Sequence, residues 1–439
     1  MSNNAELKAF LNEFVHGYLS KPDEEKLPPF RLVEDKIHYE EIKGHCCGWA
    51  ADYLFAHKCP ALLSNLVCCK VVEQVGATDL SEMLNSSSSD EGDVYDANKL
   101  CQLTFRLVEE IITCWTDELP SHVIDCCSSF KHQISCFAIK NTRRKMEDRH
   151  NTFPLLKLFT DNEAFKETSL YTVFDGHGGP DASSYAAAHF PFYLLNQSTE
   201  DWAATLSAAF AQIDVNFSVR AAKEKLHSGT TGVAVLIEPN HLAVAWLGDS
   251  QALLVKSGRA TEIMNPHKPE CEEERARIEA LGGSVVFFGT WRVNGNLAVS
   301  RAIGDIDYKP YISSDADSRN LPLDGSEEYI IVACDGLWDT VTFDEAVQLV
   351  YNHIQSGKAH KDVAEVLVRA AREEGSSDNI TVTVVFLKSD LSVPVPTEHP
   401  PCDTPELSSD SSEEDESETI DDHESEIIDD QSKSNSTKD

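Results

Sequence analysis

Three apolar segments that lie far apart in the chain each run into an aspartate, and this repetition constrains the fold most. They are Tyr171-Thr-Val-Phe-Asp175, Leu242-Ala-Val-Ala-Trp-Leu-Gly-Asp249 and Tyr329-Ile-Ile-Val-Ala-Cys-Asp335. Short runs rich in β-branched and aromatic residues are typical of buried strands. Strands that each end in an acid predict a shared cluster of hard oxygen ligands, the donors that Mg²⁺ or Mn²⁺ prefers.

Glycines follow two of these acids directly. Asp175 precedes the segment Gly176-His-Gly-Gly179, and Asp335 precedes Gly336. Because glycine lets the backbone turn tightly and approach a ligand closely, we expect the Asp175 carboxylate to face a cleft. The imidazole of His177 follows two residues later and is expected in the same cleft.

The net charge of the chain excludes some classes of binding partner. The formal net charge is −37, and residues 403–439 carry 15 acidic but only 2 basic residues. Such a chain repels nucleic acid and anionic membranes, so neither is an expected partner. No apolar run approaches the length of a membrane span, and the N-terminus lacks a signal pattern. We therefore expect an intracellular protein, in the cytoplasm or alternatively the nucleus.

Composition and periodicity divide the chain into three parts. Apolar residues at helical spacing predict helices near 5–19, 49–55, 61–75 and 100–115, with a serine-rich linker at 85–93. This first part holds no set of catalytic residue types, so a packing or docking role is favoured. The predicted parts are a helical regulatory or docking region (1–130), a catalytic domain (131–390) and a disordered acidic tail (391–439).

The cysteines favour reduced thiols. The chain has 13 cysteines, an odd count, and 10 of them precede residue 137. Without a secretion signal this argues against a disulfide framework. A zinc site at His45, Cys46, Cys47 and Cys59 is disfavoured because there is no Cys-x-x-Cys pair, so buried apolar thiols are expected.

The sequence pattern after residue 240 predicts strands separated by glycine-containing turns. Segments 242–247 and 252–256 are joined by Gly-Asp-Ser, which predicts a hairpin and antiparallel pairing of the two. Residues 287–305 look irregular and are expected to form a flap over the site. Residues 380–387 alternate as a final strand.

Seven motifs together resemble the metal-dependent protein Ser/Thr phosphatases of the PPM (PP2C) family. They occur in the family's order over roughly residues 133–388, and they are Arg143-x-x-Met-Glu147-Asp148, Asp175-Gly-His-Gly-Gly, Ser228-Gly-Thr-Thr231, Gly248-Asp249-Ser250, Asn296-Leu-Ala-Val-Ser-Arg-Ala-Ile-Gly-Asp305, Ala333-Cys-Asp335-Gly-Leu-Trp-Asp339 and Ser377-Asp378-Asn379.

Segments 141–150 and 291–295, with the helical N-terminal extension, resemble one branch in particular, the calmodulin-dependent protein kinase phosphatases or partners of PIX. In that branch's long members the acidic stretch precedes the catalytic domain, whereas here the main acidic run is C-terminal.

The resemblance implies a fold and a metal centre. The fold is an α/β sandwich of two antiparallel sheets flanked by helices. Two Mg²⁺ or Mn²⁺ ions are implied, with Asp175 bridging them. Glu147 and the Gly176 carbonyl complete one shell, and Asp335 and Asp378 hold the other ion. A looser third site is implied at Asp249 and Asp339 together with Asp335.

The resemblance also implies the catalytic roles. A water shared by the cations is the nucleophile, so Cys334 is a packing residue. Arg143 grips the phosphoryl oxygens, with Arg144 as the neighbouring alternative. His177 protonates the leaving alkoxide, or alternatively only hydrogen-bonds its turn. Asp148 orients a water or the arginine.

The expected function is therefore hydrolysis of phosphoserine and phosphothreonine on proteins. By the resemblance, the substrates include autophosphorylated calmodulin-dependent and p21-activated kinases, with a PIX-type adaptor as a possible partner of the N-terminal region. The alternatives are a pseudophosphatase scaffold, which the complete ligand set disfavours, and a helical interaction protein. A kinase is disfavoured because the chain has neither Gly-x-Gly-x-x-Gly nor a phosphate loop.

Overall fold

The structure is a computed structural model that describes residues 3–21, 32–88, 92–197 and 200–396. Most of the predicted acidic tail lies outside these residues, so its disorder stays a prediction. Within the described part, the helices are too short or too polar for any of them to cross a membrane.

Two five-stranded antiparallel sheets form the centre of the fold. Their strand orders are β16-β10-β9-β6-β5 and β12-β11-β17-β18-β4. The first sheet contains β5 (Arg149–Phe153), β6 (Ser169–Phe174), β9 (Gly232–Glu238), β10 (His241–Leu247) and β16 (Asp317–Pro322). The second contains β4 (Gln133–Ile139), β11 (Gln251–Lys256), β12 (Arg259–Glu262), β17 (Glu327–Ala333) and β18 (Ile380–Phe386).

Alternation along the strands fills both faces of the sandwich. In β6, Tyr171 and Val173 point into a core that they share with Ile330 and Val332 of the opposite sheet. Leu170 and Phe174 point to the opposite face of the sheet and join a second core there. Every residue of β6 is buried because both faces of its sheet are covered. The predicted α/β sandwich is confirmed.

Helices cover the outer face of each sheet. α6 (Asp181–Leu195) and α7 (Trp202–Glu224) lie on the first sheet, and α10 (Phe343–Gln355) and α11 (Val363–Glu373) lie on the second. α10 begins at a capping box, in which Thr342 accepts from the N–H of Glu345 and the Glu345 carboxylate accepts from the N–H of Thr342.

The N-terminal helices continue the outer layer of the first sheet. They are α1 (Asn3–Glu13), α2 (Ile42–Ala56), α3 (Ala61–Ala77), α4 (Ala97–Asp117) and α5 (Ser121–Ser129). α4 has the strong apolar stripe that its spacing predicts, buried at Leu100, Leu107 and Ile111. These helices share one hydrophobic core with α6 and α7. The proposed boundary near residue 130 therefore crosses a continuous core and stays a prediction.

Three local predictions were wrong: the linker at 85–93, the hairpin of segments 242–247 and 252–256, and the irregular segment at 287–305. The described ends of the expected linker are strands, because β2 (Leu84–Ser88) and β3 (Gly92–Asp96) pair with each other and β3 pairs with β1 (Lys36–His38). Backbone hydrogen bonds and the buried side chains of Ile37 and Tyr95 hold this small sheet, whereas the serine-rich sequence of β2 favours a loop.

The predicted hairpin of β10 and β11 does not form. β10 pairs with β9 and β16, whereas β11 pairs with β12 and β17, so the two strands lie in different sheets. Gly248 has a φ of 94°, which lets the chain cross from one sheet to the other and leaves Asp249 at the edge of the sandwich.

The segment expected to be irregular contains a hairpin instead. β13 (Val285–Phe288) pairs with β14 (Thr290–Val293), and both follow α8 (Glu272–Ala280). A small core that includes Ile278 and Val293 holds this unit together. In the described part of the chain, the β-strands and α-helix not yet named are β7 (Gly176–His177), β8 (Gly229–Thr230), β15 (Ile303–Gly304) and the short α9 (Asp335–Trp338).

Candidate active site

The first sheet brings Asp148 and Asp175 together. β5 and β6 are antiparallel neighbours in which Arg149 pairs with Phe174, so the residue before one strand lies beside the residue after the other. A carboxylate oxygen of Asp148, one of Asp175 and the sulfur of Cys334 lie within 4.8 Å of one another. Neighbouring strand ends therefore supply the acid pair.

The second sheet contributes acids at the same edge. β17 lies between β11 and β18, with Ala333 paired to Gln251 on one side and to Val382 on the other. The chain segments that enter or leave the sheet at this end carry the carboxylates of Asp249, Asp335 and Asp378. The sandwich therefore gathers acids from sequence positions more than 200 residues apart.

The acids crowd one another electrostatically. Burial, then the charge of Asp335, raises the pKa of Asp175 well above its usual value. The same two causes raise the pKa of Asp249 to about 8. Burial and then the charge of Asp339 also raise the pKa of Asp335, although a hydrogen bond with Asp175 lowers it. A bound cation would relieve this repulsion.

The donors fit a hard divalent cation. Asp148 Oδ1 and Asp335 Oδ1 are buried and have no hydrogen-bond partner within the described residues. Buried polar atoms are normally satisfied, so such orphans need an explanation. Carboxylate oxygens are the ligands that Mg²⁺ and Mn²⁺ take, so a metal would satisfy Asp335 Oδ1 directly and a water beside that metal would satisfy Asp148 Oδ1.

Asp148 is the most enclosed of the acids. It is 2% exposed, and its Oδ2 accepts a hydrogen bond from Thr381 Oγ1 at 2.7 Å. Burial raises its pKa to about 7. The neighbouring Cys334 thiol has a pKa raised well above its ordinary value by burial and then by the charge of Asp148. It therefore stays a protonated packing residue, unsuited to act as a nucleophile.

The backbone of Glu147 is fixed from both sides. Its N–H donates to Asn379 Oδ1 at 2.7 Å, and its carbonyl accepts a hydrogen bond from Ser183 Oγ. Gly176 packs against the same carbonyl, because a Cβ there would lie 2.5 Å from that oxygen. Only glycine fits this position, which explains the residue type after Asp175. The sequence did not predict that Asn379 and Ser183 hold the backbone of Glu147.

Lys268 lies close to Asp249 and Asp339, the acids predicted for a third metal site. Lys268 Nζ lies 3.3 Å from Asp339 Oδ1, and its charge also lowers the pKa of Asp249, against the larger effect of burial. The motifs gave no role to Lys268, which lies between Pro266 and Pro269 and outside every quoted motif. Its charge offsets part of the acidic field at this corner of the site.

Arg143 lies at the mouth of the acid cluster. Its Nη2 atom lies 2.5 Å from Asp378 Oδ2, with the arginine side chain 58% exposed. Thr142 Oγ1 donates to the Ser377 carbonyl at 2.7 Å and holds the two loops together. Arg144 is also exposed but has no ion pair within the described residues. Of these two arginines, only Arg143 contacts a predicted metal ligand, Asp378.

His177 forms a pair that our sequence reasoning missed. Its Nε2 atom lies 2.7 Å from Asp305 Oδ2; the histidine side chain is 28% exposed and the aspartate 1%. Burial opposes it, but the hydrogen bond and charge of Asp305 raise the pKa of His177. The ring therefore holds its proton more readily than a free imidazole does.

The conformation around this pair is specialised. Asp305 has a φ of 48°, a left-handed conformation that costs a non-glycine residue free energy. A Cβ on Gly229 would lie 2.1 Å from Asp305 Oδ2 and 2.5 Å from His177 Nε2. In the sequence, the Gly304-Asp305 pair at the end of the quoted motif was the available signal for a role of Asp305. It did not indicate that Asp305 would bond to His177.

Comparison with known proteins agrees with this geometry. Residues 133–380, more than half of the chain, match the family described as protein phosphatase 2C. The chain belongs to the protein phosphatase 2C family. The family predicted from the motifs is thereby confirmed, and its match covers the first sheet, the second sheet up to the start of β18, and every acid described above.

Relatives extend the similarity beyond the family domain. Human Protein phosphatase 1F is 40% identical over 88% of this chain and 88% of its own length. Mouse Protein phosphatase 1E is 43% identical over 85% of this chain and 51% of its own length. The chain thus spans about half the length of that relative.

Solved structures share the fold. A C. elegans sex-determining protein superimposes with a TM-score of 0.72 at 23% identity, over 87% of this chain and 95% of that one. A Toxoplasma gondii serine-threonine phosphatase 2C gives a TM-score of 0.52 at 24% identity, over 58% of this chain and 95% of that one. The wider coverage of the first includes the N-terminal helices.

Proposed function

We propose that this protein is a metal-dependent protein Ser/Thr phosphatase. One observation carries the proposal: carboxylates from the ends of both sheets converge at one edge of the sandwich, two of them with orphaned buried oxygens. That arrangement suits a binuclear Mg²⁺ or Mn²⁺ centre, and the family membership supports it.

Five positions would hold the two ions. Asp175 would serve both ions, Glu147 and the Gly176 carbonyl would serve one, and Asp335 and Asp378 would serve the other. When bound, the ions supply an acidified water and neutralise charge on the phosphoryl group. Asp249 and Asp339, with Asp335, would form a weaker third site, and the charge of Lys268 beside Asp339 would reduce its affinity for a cation.

The remaining side chains act on substrate. Arg143 binds phosphoryl oxygens through its planar fork, and its exposure lets the guanidinium turn from Asp378 toward the substrate. His177 gives its proton to the departing serine or threonine oxygen, and Asp305 keeps the ring protonated and oriented. Asp148 accepts a hydrogen bond from a water or from an arginine near the cluster.

The cellular role follows the resemblance. We propose phosphorylated proteins as substrates, including autophosphorylated calmodulin-dependent and p21-activated kinases, in the cytoplasm or nucleus. We assign regulation or docking, including a PIX-type adaptor, to residues 1–130 and catalysis to residues 131–390. The acidic region 391–439 would then act outside catalysis.

A hydrolysis assay with matched variants tests the chemistry. The purified full chain should release phosphate from a phosphothreonine peptide with Mn²⁺ and stop when a chelator is added. Asp175→Asn should lose nearly all activity and remain folded, since a bridging ligand is weakened. Asp161→Asn, which changes an exposed acid far from the cluster, should retain wild-type turnover. Retention of turnover by Asp175→Asn at saturating Mn²⁺ would refute the assignment of the bridge.

A further inference from the structure

Arg149 holds the segment that carries Glu147 and Asp148. It is the first residue of β5 and is half-buried. Its Nη1 donates to the carbonyl oxygen of Met146 at 3.1 Å and to that of Asp148 at 2.8 Å. These two carbonyls flank Glu147 on either side along the chain. One charged group therefore fixes the backbone on both sides of a predicted metal ligand.

The opposite side of Arg149 meets the N-terminal region. A cavity of about 50 Å³ lies there, lined by Arg149, by Gly48 and Asp52 of α2, and by Ala187 of α6. Burial raises the pKa of Asp52 to about 6, and the charge of Arg149 works against that rise. Asp52 therefore remains largely ionised at neutral pH and gives the guanidinium an acidic neighbour on an N-terminal helix.

α2 also packs against α6, which carries the second side chain that fixes the segment around Glu147. Ser183, whose hydroxyl donates to the Glu147 carbonyl, lies in the first turn of α6. Gly44 of α2 packs so closely on α6 that a Cβ there would lie 2.5 Å from the Ala188 carbonyl oxygen. Phe55 of α2 makes an edge contact with His150 of β5, with ring centroids 4.7 Å apart. Both the strand and the helix that hold Glu147 thus rest on α2.

We propose that α2 is a structural part of the metal centre, and that Arg149 is the positioning residue that couples it to Glu147 and Asp148. This inference rests on the proposed function, because it concerns how the same site is held. It assigns the N-terminal layer a task inside the phosphatase itself: α2 sets how tightly the acid cluster binds a divalent cation.

The test compares Mn²⁺ binding and catalysis in full-length variants. Arg149→Gln cannot supply a charged donor to both carbonyls, so we expect Mn²⁺ affinity, measured by calorimetry on metal-free protein, to fall about tenfold. At saturating Mn²⁺, kcat should stay within about threefold of wild type. Arg149→Lys keeps the charge and should recover part of the affinity. Arg106→Gln, an exposed arginine paired with Glu110 on α4, is the matched control and should change neither value.

Asp52 supplies a second, gentler perturbation. Asp52→Asn should lower Mn²⁺ affinity about threefold, and its effect should shrink when Arg149 is already glutamine, because the two act through one contact chain. If Arg149→Gln does not fold, Arg149→Lys and Asp52→Asn still decide the matter.

Two failures are distinguishable. Folded Arg149 and Asp52 variants that bind Mn²⁺ with wild-type affinity, in a protein that hydrolyses phosphopeptide, would overturn this inference alone. A wild-type protein that neither binds Mn²⁺ nor hydrolyses phosphopeptide would overturn the proposed function.

Discussion

The pair formed by His177 and Asp305 makes the sharpest kinetic prediction. An alkoxide leaving group needs a proton, whereas an aryl oxide such as nitrophenolate needs it much less. A positioned general acid contributes at least about 100-fold. His177→Gln should therefore lower kcat on a phosphothreonine peptide by about 100-fold, and on nitrophenyl phosphate by less than about fivefold.

Asp305→Asn should give an intermediate loss. Asp305 is 1% exposed and bonds the ring directly, so solvent screening is small. Replacing a charged acceptor by a neutral one weakens the hydrogen bond by about 1–1.5 kcal/mol, which corresponds to about tenfold in rate. Since Asp305 raises the pKa of His177, the variant ring loses its proton at lower pH. The alkaline limb of the pH–rate profile should move toward acid.

The assay is steady-state kinetics from pH 6 to 9 with both substrates, at saturating Mn²⁺ for each variant. Equal losses on the two substrates would show that His177 only supports its turn. An unshifted alkaline limb in Asp305→Asn would show that the carboxylate does not tune the ring.

Three further outcomes follow from the same site. Arg143→Ala should raise KM for the phosphopeptide about tenfold while Arg144→Ala leaves it near wild type, because only Arg143 contacts the acid cluster; the reverse order would transfer the phosphate contact to Arg144. Gly229→Ala should resemble Asp305→Asn in its loss of phosphothreonine turnover, since its Cβ would separate the pair, whereas Gly76→Ala in an open helical position should be silent. Deletion of residues 403–439 should leave turnover and KM on a neutral peptide unchanged at moderate salt, and a salt-dependent fall in KM would make this segment an autoinhibitor.

The sequence predicted the parts of this protein that are encoded locally. A strand that ends in an acid and a glycine is visible within ten residues, so the convergence at Asp175 and Asp335 could be expected from the residue pattern alone. The stripe of α4 was equally clear from its spacing. Both depend on periodicity and on the residue types that metals require.

Non-local pairing set the limits of prediction. The Gly-Asp-Ser turn between β10 and β11 looks like a hairpin turn, and nothing in it indicates that each strand prefers a different neighbour. Asp305 lies 128 residues from His177, and Arg149 stands in a stretch of mixed charges in which no spacing distinguishes it. Such roles depend on contacts that the whole fold creates, and no local spacing reveals them.

The central claim, that the acid cluster binds two cations and uses them for hydrolysis, is tested most directly by titrating metal-free protein with Mn²⁺. Bound metal is followed by calorimetry and phosphothreonine hydrolysis is followed in parallel. We predict about two tightly bound ions per chain, with activity rising over the same concentration range. Tight binding without hydrolysis would indicate a scaffold, and hydrolysis that persists in excess chelator would contradict the metal mechanism.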